Sequence, residues 1–402
     1  MPNFISEDQI EKAACAILKG TYGYRTLNCF TQEADNLSDH SNRTTKQQVV
    51  FADVLRASTI KLNPHIPHHI IDGAIETLIT PRRALSPLLA NKEVYDLIRN
   101  GIQVKYDNPS GKAEEDTLKI IDFDNPNEND FLAVTQLWIK GDHCPRRPDI
   151  IIYINGLPLV FIELKNSNVS LENAYLDNLT NYRQDIPLLF QYNALCIFSN
   201  AVETKVGSFT AGWEFFFNWL RTDDETEKID RSTIKKQGTS LERLIHGLLP
   251  KDRLLDYIEN FILYYQDTAK IIAQNHQYIG VNKAIESFKD RKEKKGKLGV
   301  FWHTQGSGKS FSMIFLFRKI SHKFTGNYTF VVVTDREELD GQIYRNFLYT
   351  NTVKKDEAAQ PGDSEEMRAY LGTNKRIVFT LIQKFRWDKG KNTQFSLKET
   401  IL

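Results

Sequence analysis

The stretch that decides the fold of the first half of the chain runs from Arg146 to Asn166. It reads Arg-Arg-Pro-Asp-Ile-Ile-Ile-Tyr-Ile-Asn-Gly-Leu-Pro-Leu-Val-Phe-Ile-Glu-Leu-Lys-Asn. Two apolar β-type runs flank Asn155-Gly156, the dipeptide that most strongly favours a short hairpin. Another apolar run, 194–198, predicts the next strand. Helical spacing of apolar residues over 7–18 predicts a first helix, so the pattern indicates an α/β domain.

Charged residues lie at the open end of this hairpin. Asp149 precedes the first strand, and Glu163 and Lys165 end the second, where their spacing of two places both side chains on one face. Two carboxylates can hold Mg²⁺ with positions left for water and a phosphate oxygen, and a lysine can stabilise developing negative charge. The three residues therefore predict a metal-dependent phosphodiesterase site. The alternative interpretation is an ordinary hairpin with charged residues near its rim.

The register of the hairpin decides whether this site can form. With a two-residue loop and regular pairing, Asp149 would lie opposite Ile162 and face away from Glu163. An odd-length loop or a bulge returns Asp149 to the face that carries Glu163 and Lys165. We therefore predict an odd loop or a bulge between the two strands.

A second motif, His303-Thr-Gln-Gly-Ser-Gly-Lys-Ser310, indicates phosphate binding. Strands are predicted at 298–303, 329–334 and 376–381, with a helix over 309–322, and this alternation is typical of a parallel sheet. A glycine loop between a strand and a helix presents backbone N–H groups to phosphate. Lys309 would reach the β and γ phosphates, and the Ser310 hydroxyl would bind Mg²⁺. The remaining candidates for nucleotide contact in the loop are Thr304, Gly306, Ser307 and Gly308.

Composition sets limits on partners and location. The chain has 402 residues with 52 basic and 51 acidic side chains, so any contact with DNA must come from local patches. The four cysteines are scattered and form no C-x-x-C pair, which gives no indication of a zinc site or a disulfide framework. With no apolar run of about 18 residues and no signal sequence, a soluble cytoplasmic protein is expected.

Residues 147–166 resemble the nuclease signature of the R (HsdR) subunits of type I restriction enzymes, and 302–310 resemble the phosphate loop of those subunits. The resemblance implies a PD-(D/E)xK restriction-endonuclease-like domain over 1–240. It further implies a helical connection with a Gln motif and a charged linker over 241–297. The first RecA-like lobe of a superfamily 2 helicase or translocase would follow over 298–402, truncated before its Walker B strand.

The resemblance also assigns roles to individual residues. Asp149 and Glu163 would bind metal, Lys165 would be catalytic, and Mg²⁺ and ATP would be the cofactors. Gln277 resembles the Gln motif that reads adenine. Candidates for contact with DNA are Tyr182, Asp335, Arg336, Gln342 and Thr380.

Two positions near the nuclease motif are a departure from the family pattern and a possible extension of it. Asn178 stands where the family often has the glutamine of a Q-x-x-x-Y helix. Related nucleases often complete the metal shell with a glutamate from the first helix, for which Glu11 is the candidate, with an ordinary surface glutamate as the alternative.

The function implied is that of an ATP-dependent type I site-specific deoxyribonuclease. The whole enzyme would translocate duplex DNA while bound to methyltransferase (M) and specificity (S) subunits. Because no apolar strand ending in an acidic pair precedes Leu402, this chain is expected to bind nucleotide without coupled hydrolysis. Two alternatives stay open: a stand-alone defence or repair helicase-nuclease, and a DNA- or partner-binding fragment without activity of its own.

Overall fold

The computed structural model describes residues 4–108, 110–373 and 375–385. The chain divides into two compact units. The N-terminal unit comprises Met1–Ile262 with Ala269–Asn275, and the C-terminal unit comprises Leu263–Thr268 with His276–Leu402. In the described residues, no helix is both long and apolar enough to cross a membrane.

A seven-stranded mixed sheet forms the centre of the N-terminal unit, and a separate two-stranded hairpin accompanies it. In chain order the strands of this unit are β1 (Arg25–Asn28), β2 (Ile102–Asp107), β3 (Ala113–Leu118), β4 (Phe131–Thr135), β5 (Ile150–Ile154), β6 (Leu157–Leu164), β7 (Leu195–Ser199), β8 (Thr204–Gly207) and β9 (Phe217–Asn218). The order across the main sheet is β1-β4-β5-β6-β7-β8-β9, and β2 pairs with β3. The β1–β4 and β6–β7 pairs are parallel, and the other neighbouring pairs are antiparallel.

Helices surround this sheet. They are α1 (Glu7–Gly20), α2 (Ala52–Leu62), α3 (His68–Ile79), α4 (Pro87–Asn100), α5 (Leu171–Ala174), α6 (Thr180–Asp185), α7 (Pro187–Phe190), α8 (Arg231–Gln237), α9 (Ser240–Leu248) and α10 (Lys251–Asn260). Short 3₁₀ turns occupy Pro126–Glu128 and Trp213–Phe215. Every residue of β4, β5, β6 and β7 is buried, which explains why these strands are nearly continuous apolar runs.

Helix α1 begins with a capping box. The Ser6 side chain accepts from the Gln9 backbone N–H while the Gln9 side chain accepts from the Ser6 N–H, so donors that a helix start leaves unpaired are satisfied. The helix packs against β1, β4 and β6 through Ile10, Ala14 and Leu18. This packing carries Glu7 and Glu11 to the end of β6.

A single turn of π-helix, Tyr175–Leu179, joins α5 to α6. Such turns often occur at functional sites because they rotate the following residues relative to an uninterrupted helix. This turn and α6 carry Asn178 and Tyr182, the two residues of the sequence motif that follows the nuclease strands.

The predicted helical connection over 241–297 is interrupted by two strands, β10 (Ile262–Tyr265) and β11 (Ala269–Ile272). The expectation of helix throughout was wrong here because the segment is rich in β-branched and aromatic residues. It also contains a turn in which Gln266 and Asp267 have φ of 48° and 55°. Helix α11 (Asn275–Lys289) follows, and the charged run after Lys289 forms turns rather than a continued helix.

The C-terminal unit contains a three-stranded parallel sheet in the order β12-β14-β13. Its further elements are α12 (Lys309–Lys323), β12 (Phe330–Thr334), α13 (Glu337–Tyr349), β13 (Ala358–Ala359), α14 (Ser364–Leu371) and β14 (Ile377–Leu381), with a 3₁₀ turn at Ile382–Phe385. The predictions of a helix after the glycine loop and of strands near 329–334 and 376–381 are confirmed.

The strand predicted at 298–303 does not form. An apolar run becomes a strand only where a neighbour supplies backbone hydrogen bonds, and this segment has no strand partner among the described residues. Val300 is 96% exposed and Trp302 is 78% exposed. Contacts with α11 hold parts of this segment: the Phe301 ring packs against Gly280, where an added Cβ would lie 2.5 Å from it, and the Leu298 carbonyl accepts from the Ser287 hydroxyl.

Candidate active site

A bulge in the β5–β6 hairpin places the nuclease residues on one face. Ile154 pairs with Leu157 across the two-residue loop, but the register shifts between Tyr153 and Ile152, so that Leu159 is left over. Beyond this bulge Ile150 pairs with Ile162, and the same register extended by one residue sets Asp149 opposite Glu163. The predicted bulge is confirmed, and the structure brings the two carboxylates together.

Hydrogen bonds hold each of these side chains. The Asp149 Oδ2 accepts from the Leu164 backbone N–H at 2.7 Å. The Glu163 Oε1 accepts from Lys165 Nζ at 2.8 Å and from the Asn178 amide. Lys165 Nζ also donates to the Leu164 carbonyl at 2.9 Å. Asn178, the departure from the family pattern, therefore contacts the predicted metal ligand directly.

Burial makes these carboxylates unfavourable to ionise. Burial and the nearby Asp149 together raise the pKa of Glu163 to about 8, while Lys165 and Asn178 act against the rise. Burial likewise raises the pKa of Asp149, against the Leu164 N–H and Lys165. Burial lowers the pKa of Lys165, but Glu163, Asp149 and Glu7 outweigh this and leave it above its ordinary value. The site thus keeps a charged lysine beside two carboxyl groups, and this single positive charge does not offset the cost of burying both in ionised form.

One carboxylate oxygen in this site has no protein partner. Glu163 is 3% exposed, and its Oε2 is buried without a hydrogen bond among the described residues. A buried acceptor of this kind is costly unless a ligand satisfies it, and a divalent cation would also stabilise the ionised form of both carboxylates. Mg²⁺ commonly binds through one or two carboxylates with waters and phosphate oxygens completing its shell. Asp149 and Glu163 supply two carboxylates for such a mode, and the described residues contain no group of three or more Asp, Glu, His or Cys side chains that could hold a metal ion.

Gln136 is the site residue that sequence reasoning missed. Its Nε2 donates to Glu11 Oε2 at 2.5 Å and lies 3.4 Å from Asp149 Oδ1, so it links the first helix to the nuclease strands. Its φ of 57° is unusual for a residue other than glycine and marks the end of β4. Glu11, weighed as a surface residue, is partly buried, and burial raises its pKa against the Gln136 hydrogen bond. The one sequence signal for Gln136 was its place directly after the buried run 131–135.

Tyr182 lies inside the unit rather than on its surface. It is 7% exposed, its ring packs edge-on against Phe161, and its hydroxyl is 3.4 Å from the Arg147 carbonyl. Burial, with Glu163 and Asp149 nearby, raises the pKa of its hydroxyl. This buried position suits a residue that stabilises the arrangement of the site residues by packing beneath them.

The glycine loop of the C-terminal unit ends at the first turn of α12. Gly306 and Gly308 have φ of 80° and 77°, in the left-handed region that glycine adopts without steric cost. Lys309 Nζ donates to the carbonyls of His303 at 2.6 Å and Thr304 at 3.1 Å, inside the loop. Ser310 is the next residue of the same helical turn. The structure therefore brings together the predicted nucleotide-binding residues of 304–310.

Gln277 is buried against this loop. Its Nε2 donates to the Gly308 carbonyl at 3.0 Å, and the neighbouring His276 ring contacts the Ser307 carbonyl at 3.1 Å. The residue predicted to read adenine is thus adjacent to the residues predicted to hold the phosphates.

Four of the five residues predicted to contact DNA lie in the C-terminal unit, where they form two groups. Asp335, Arg336 and Gln342 are exposed at and beyond the carboxyl end of β12, and the Gln383 amide donates to the Asp335 carbonyl at 3.1 Å. Thr380 is fully buried in β14, with its hydroxyl 3.5 Å from Met367 Sδ. Because none of its surface is exposed, Thr380 cannot contact DNA in this conformation and is not among the proposed DNA contacts.

Two known protein families match this chain, one in its N-terminal part and one in its C-terminal part. The family described as type I restriction enzyme R protein N terminus matches residues 4–215, more than half of the chain. The chain belongs to the type I restriction enzyme R protein family. The SWI2/SNF2 ATPase family matches residues 276–402, which begin within α11 and include the glycine loop.

Curated relatives of this R protein family member agree with the assignment. It is 37% identical over 350 residues to the type I restriction enzyme HindI endonuclease subunit of Haemophilus influenzae, covering 84% of this chain and 32% of the relative. It is 31% identical over 412 residues to the putative type I restriction enzyme MjaIXP endonuclease subunit of Methanocaldococcus jannaschii, covering 95% of this chain and 37% of the relative. A Staphylococcus aureus endonuclease subunit is 24% identical over 75% of the chain. The chain spans about a third of the length of the relatives it matches.

The two loop glycines of this R protein family member should differ in their tolerance of alanine. Both substitutions carry the strain of a positive φ, roughly 1 kcal/mol. At Gly308 the new Cβ would also lie 2.7 Å from Gln277 Nε2, whereas at Gly306 nothing lies within 4 Å. Amide hydrogen exchange over α12 in the nucleotide-free chain should therefore accelerate more in Gly308→Ala than in Gly306→Ala. The double variant Gly308→Ala/Gln277→Ala should recover part of the difference, and equal exchange in the two single variants would contradict this reading.

Proposed function

We propose that this chain is the nuclease-bearing and ATP-binding part of a type I restriction enzyme R subunit, which cleaves duplex DNA in a metal-dependent reaction. The observation that carries the proposal is the pair Asp149–Glu163, in which Glu163 is buried, a charged Lys165 lies beside it, and the Glu163 Oε2 accepts no hydrogen bond within the described part of the chain. The names of the relatives, endonuclease subunits of type I restriction enzymes, support it.

Each residue of the pair would have a defined part in phosphodiester hydrolysis. A divalent cation bound to Asp149 and Glu163 would polarise the scissile phosphate and activate a water molecule. Asp149 is fixed for this by the Leu164 N–H, and Glu163 is fixed by Asn178. Lys165, held by Glu163 Oε1 and the Leu164 carbonyl, would donate to the phosphate as negative charge develops on it.

We propose a nucleotide site in the C-terminal unit. Lys309 would exchange the loop carbonyls for the β and γ phosphates of ATP, and Ser310 would bind the accompanying Mg²⁺. The backbone N–H groups of 304–308 would surround the phosphates, and the Gln277 carboxamide would read the adenine edge. The exposed residues Asp335, Arg336 and Gln342 would contact the DNA backbone.

The domain organisation proposed is an endonuclease domain over 1–240, a connection over 241–297 and the first translocase lobe over 298–402. In the complete enzyme, ATP-driven translocation would be coupled to cleavage, and the M and S subunits would supply site recognition. The stand-alone helicase-nuclease and the inactive binding fragment are the outcomes that the following experiment separates from this proposal.

The test is nicking of supercoiled plasmid DNA by the complete R subunit that carries this segment, assembled with M and S subunits in the presence of ATP and Mg²⁺. We expect cleavage by the wild type, none by Asp149→Ala, and unchanged cleavage by Asp177→Ala, a control at an exposed aspartate on the neighbouring π turn. Equal cleavage by the wild type and Asp149→Ala would contradict the proposed site. Cleavage that requires neither M nor S subunits would favour the stand-alone enzyme.

A further inference from the structure

Two adjacent arginines precede the nuclease strand and have opposite environments. Arg146 donates to the Asp185 carboxylate at 2.5 Å and lies over the Tyr182 ring, so its charge is balanced within the protein. The Arg147 guanidinium makes no ion pair and no side-chain hydrogen bond with any residue in the described ranges 4–108, 110–373 and 375–385. It lies instead over two aromatic rings, with its Cζ 5.0 Å from the centroids of both Phe30 and Trp138.

One of these two rings, that of Trp138, is fixed by the fold. The Trp138 Nε1 donates to the Thr31 carbonyl at 3.0 Å, and the Trp138 carbonyl accepts from Arg43 at 2.9 Å. Arg43 in turn belongs to a buried ion-pair network with Asp39 and Lys46. Phe30, the second ring over which the guanidinium lies, is 56% exposed. The two rings therefore restrict the plane of the guanidinium while leaving its N–H edge without a protein acceptor.

This arrangement lies next to the nuclease carboxylates. Backbone hydrogen bonds join Ile139 and Arg146 as an antiparallel bridge, and the same register extended by one residue sets Trp138 opposite Arg147. Arg147 and Asp149 are two residues apart in the chain, and the Gln136 N–H donates to the Asp149 carbonyl at 3.0 Å, in the same register as this bridge. The Arg147 charge also acts on Glu11, which the Gln136 amide connects to Asp149.

We propose that Arg147, held over Phe30 and Trp138, binds a phosphate of the DNA strand next to the scissile phosphate. A planar guanidinium donates two parallel hydrogen bonds to a phosphate, and stacking on aromatic faces fixes its orientation in advance. A cation without a carboxylate partner, beside a site that would cleave a polyanion, provides the charge complementarity. The inference rests on the proposed nuclease function and adds a DNA contact that acts on binding rather than on the chemical step.

The test measures binding of a short DNA duplex to the full 402-residue chain across a series of salt concentrations, with Ca²⁺ in place of Mg²⁺. Loss of one phosphate contact lowers the slope of log K against log salt by about 0.9. We expect Arg147→Gln, which keeps a planar group over the rings, to weaken binding by roughly tenfold and to lower the slope by about one contact. Arg147→Lys should keep most of the slope because it keeps the charge. It should still lose affinity, because an ammonium neither stacks on aromatic rings as a planar guanidinium does nor donates two parallel hydrogen bonds to the phosphate.

Two controls separate the possible results. Arg25→Gln removes an arginine that is paired with Asp130 and should leave both affinity and slope unchanged. Asp149→Asn should retain the wild-type slope in this assay and should abolish cleavage in the Mg²⁺ nicking assay of the complete enzyme, so that failure of the nuclease proposal shows as cleavage that persists there in Asp149→Asn. Wild-type affinity and slope in Arg147→Gln, or loss of affinity with an unchanged slope in both Arg147 variants, would overturn the phosphate contact.

Discussion

Replacing Glu163 by glutamine is expected to abolish DNA cleavage and, at the same time, to stabilise the metal-free protein. Cleavage should fall by roughly 10²- to 10⁴-fold, the range that a positioned catalytic group contributes. Stability should rise because Glu163 is buried beside Asp149, and its pKa is raised from 4.5 to about 8. Glutamine can still accept from Lys165 and Asn178 but carries no charge to bury.

The pH dependence of this effect has a definite sign. The folded state holds the Glu163 proton up to about pH 8, whereas the unfolded state releases it near 4.5. The free energy of unfolding of the wild type should therefore fall as pH rises through this window, by about 3 kcal/mol at pH 7. Glu163→Gln should lack this loss and exceed the wild type by a similar amount at pH 7.

Hydrogen exchange of peptides spanning 150–164 in EDTA, followed across urea concentration, measures this local stability. Glu203→Gln is the matched control, since Glu203 is a half-exposed glutamate that forms only a 3.9 Å ion pair with Lys205 at the other side of β7. It should change neither stability nor cleavage. A Glu163→Gln protein that is less stable than the wild type at pH 7 would show that the buried charge is compensated within the protein.

The second large effect is expected at Lys309. Alanine at this position removes the ammonium that lies inside the phosphate loop and, by the proposal, reaches the β and γ phosphates. A hydrogen bond to a charged group contributes about 1.5–3 kcal/mol, so ATP affinity should fall by roughly 10- to 100-fold or more. In the complete R subunit, ATP-driven translocation should stop.

Calorimetric titration of the chain with ATP and Mg²⁺ measures the first part of this prediction. Lys292→Ala, in the exposed charged run before the loop, is the matched control and should bind ATP as the wild type does. Equal ATP affinity in Lys309→Ala and Lys292→Ala would exclude the loop as the nucleotide site.

Local pattern was sufficient to predict the hairpin, the first helix and the helix after the glycine loop. The bulge was predicted from the chemistry of the site. Two carboxylates that bind one metal ion must lie on the same face, and only a shifted register lets Asp149 share a face with Glu163. Gln136 and the contact of Asn178 with Glu163 could not be predicted in this way, since they depend on how α1 and the π turn pack against the sheet.

Two failures have a common physical cause. The apolar run 298–303 was predicted to be a strand, but periodicity does not report whether a neighbouring strand is available for pairing. Thr380 was proposed to contact DNA from its place in a motif, yet its alternation with Phe379 and Leu381 in β14 does not reveal that both faces of this strand are covered. In both cases the outcome depends on which other elements pack against the segment in the folded chain.

Binding of a divalent cation by Asp149 and Glu163 together underlies the proposed nuclease reaction. Anomalous diffraction from crystals of the chain soaked in Mn²⁺ tests it most directly. We predict a peak at about 2.0–2.3 Å from both Glu163 Oε2 and an Asp149 carboxylate oxygen, and its loss in Asp149→Asn. Mn²⁺ density elsewhere, with Glu163 Oε2 still without a ligand, would contradict the account.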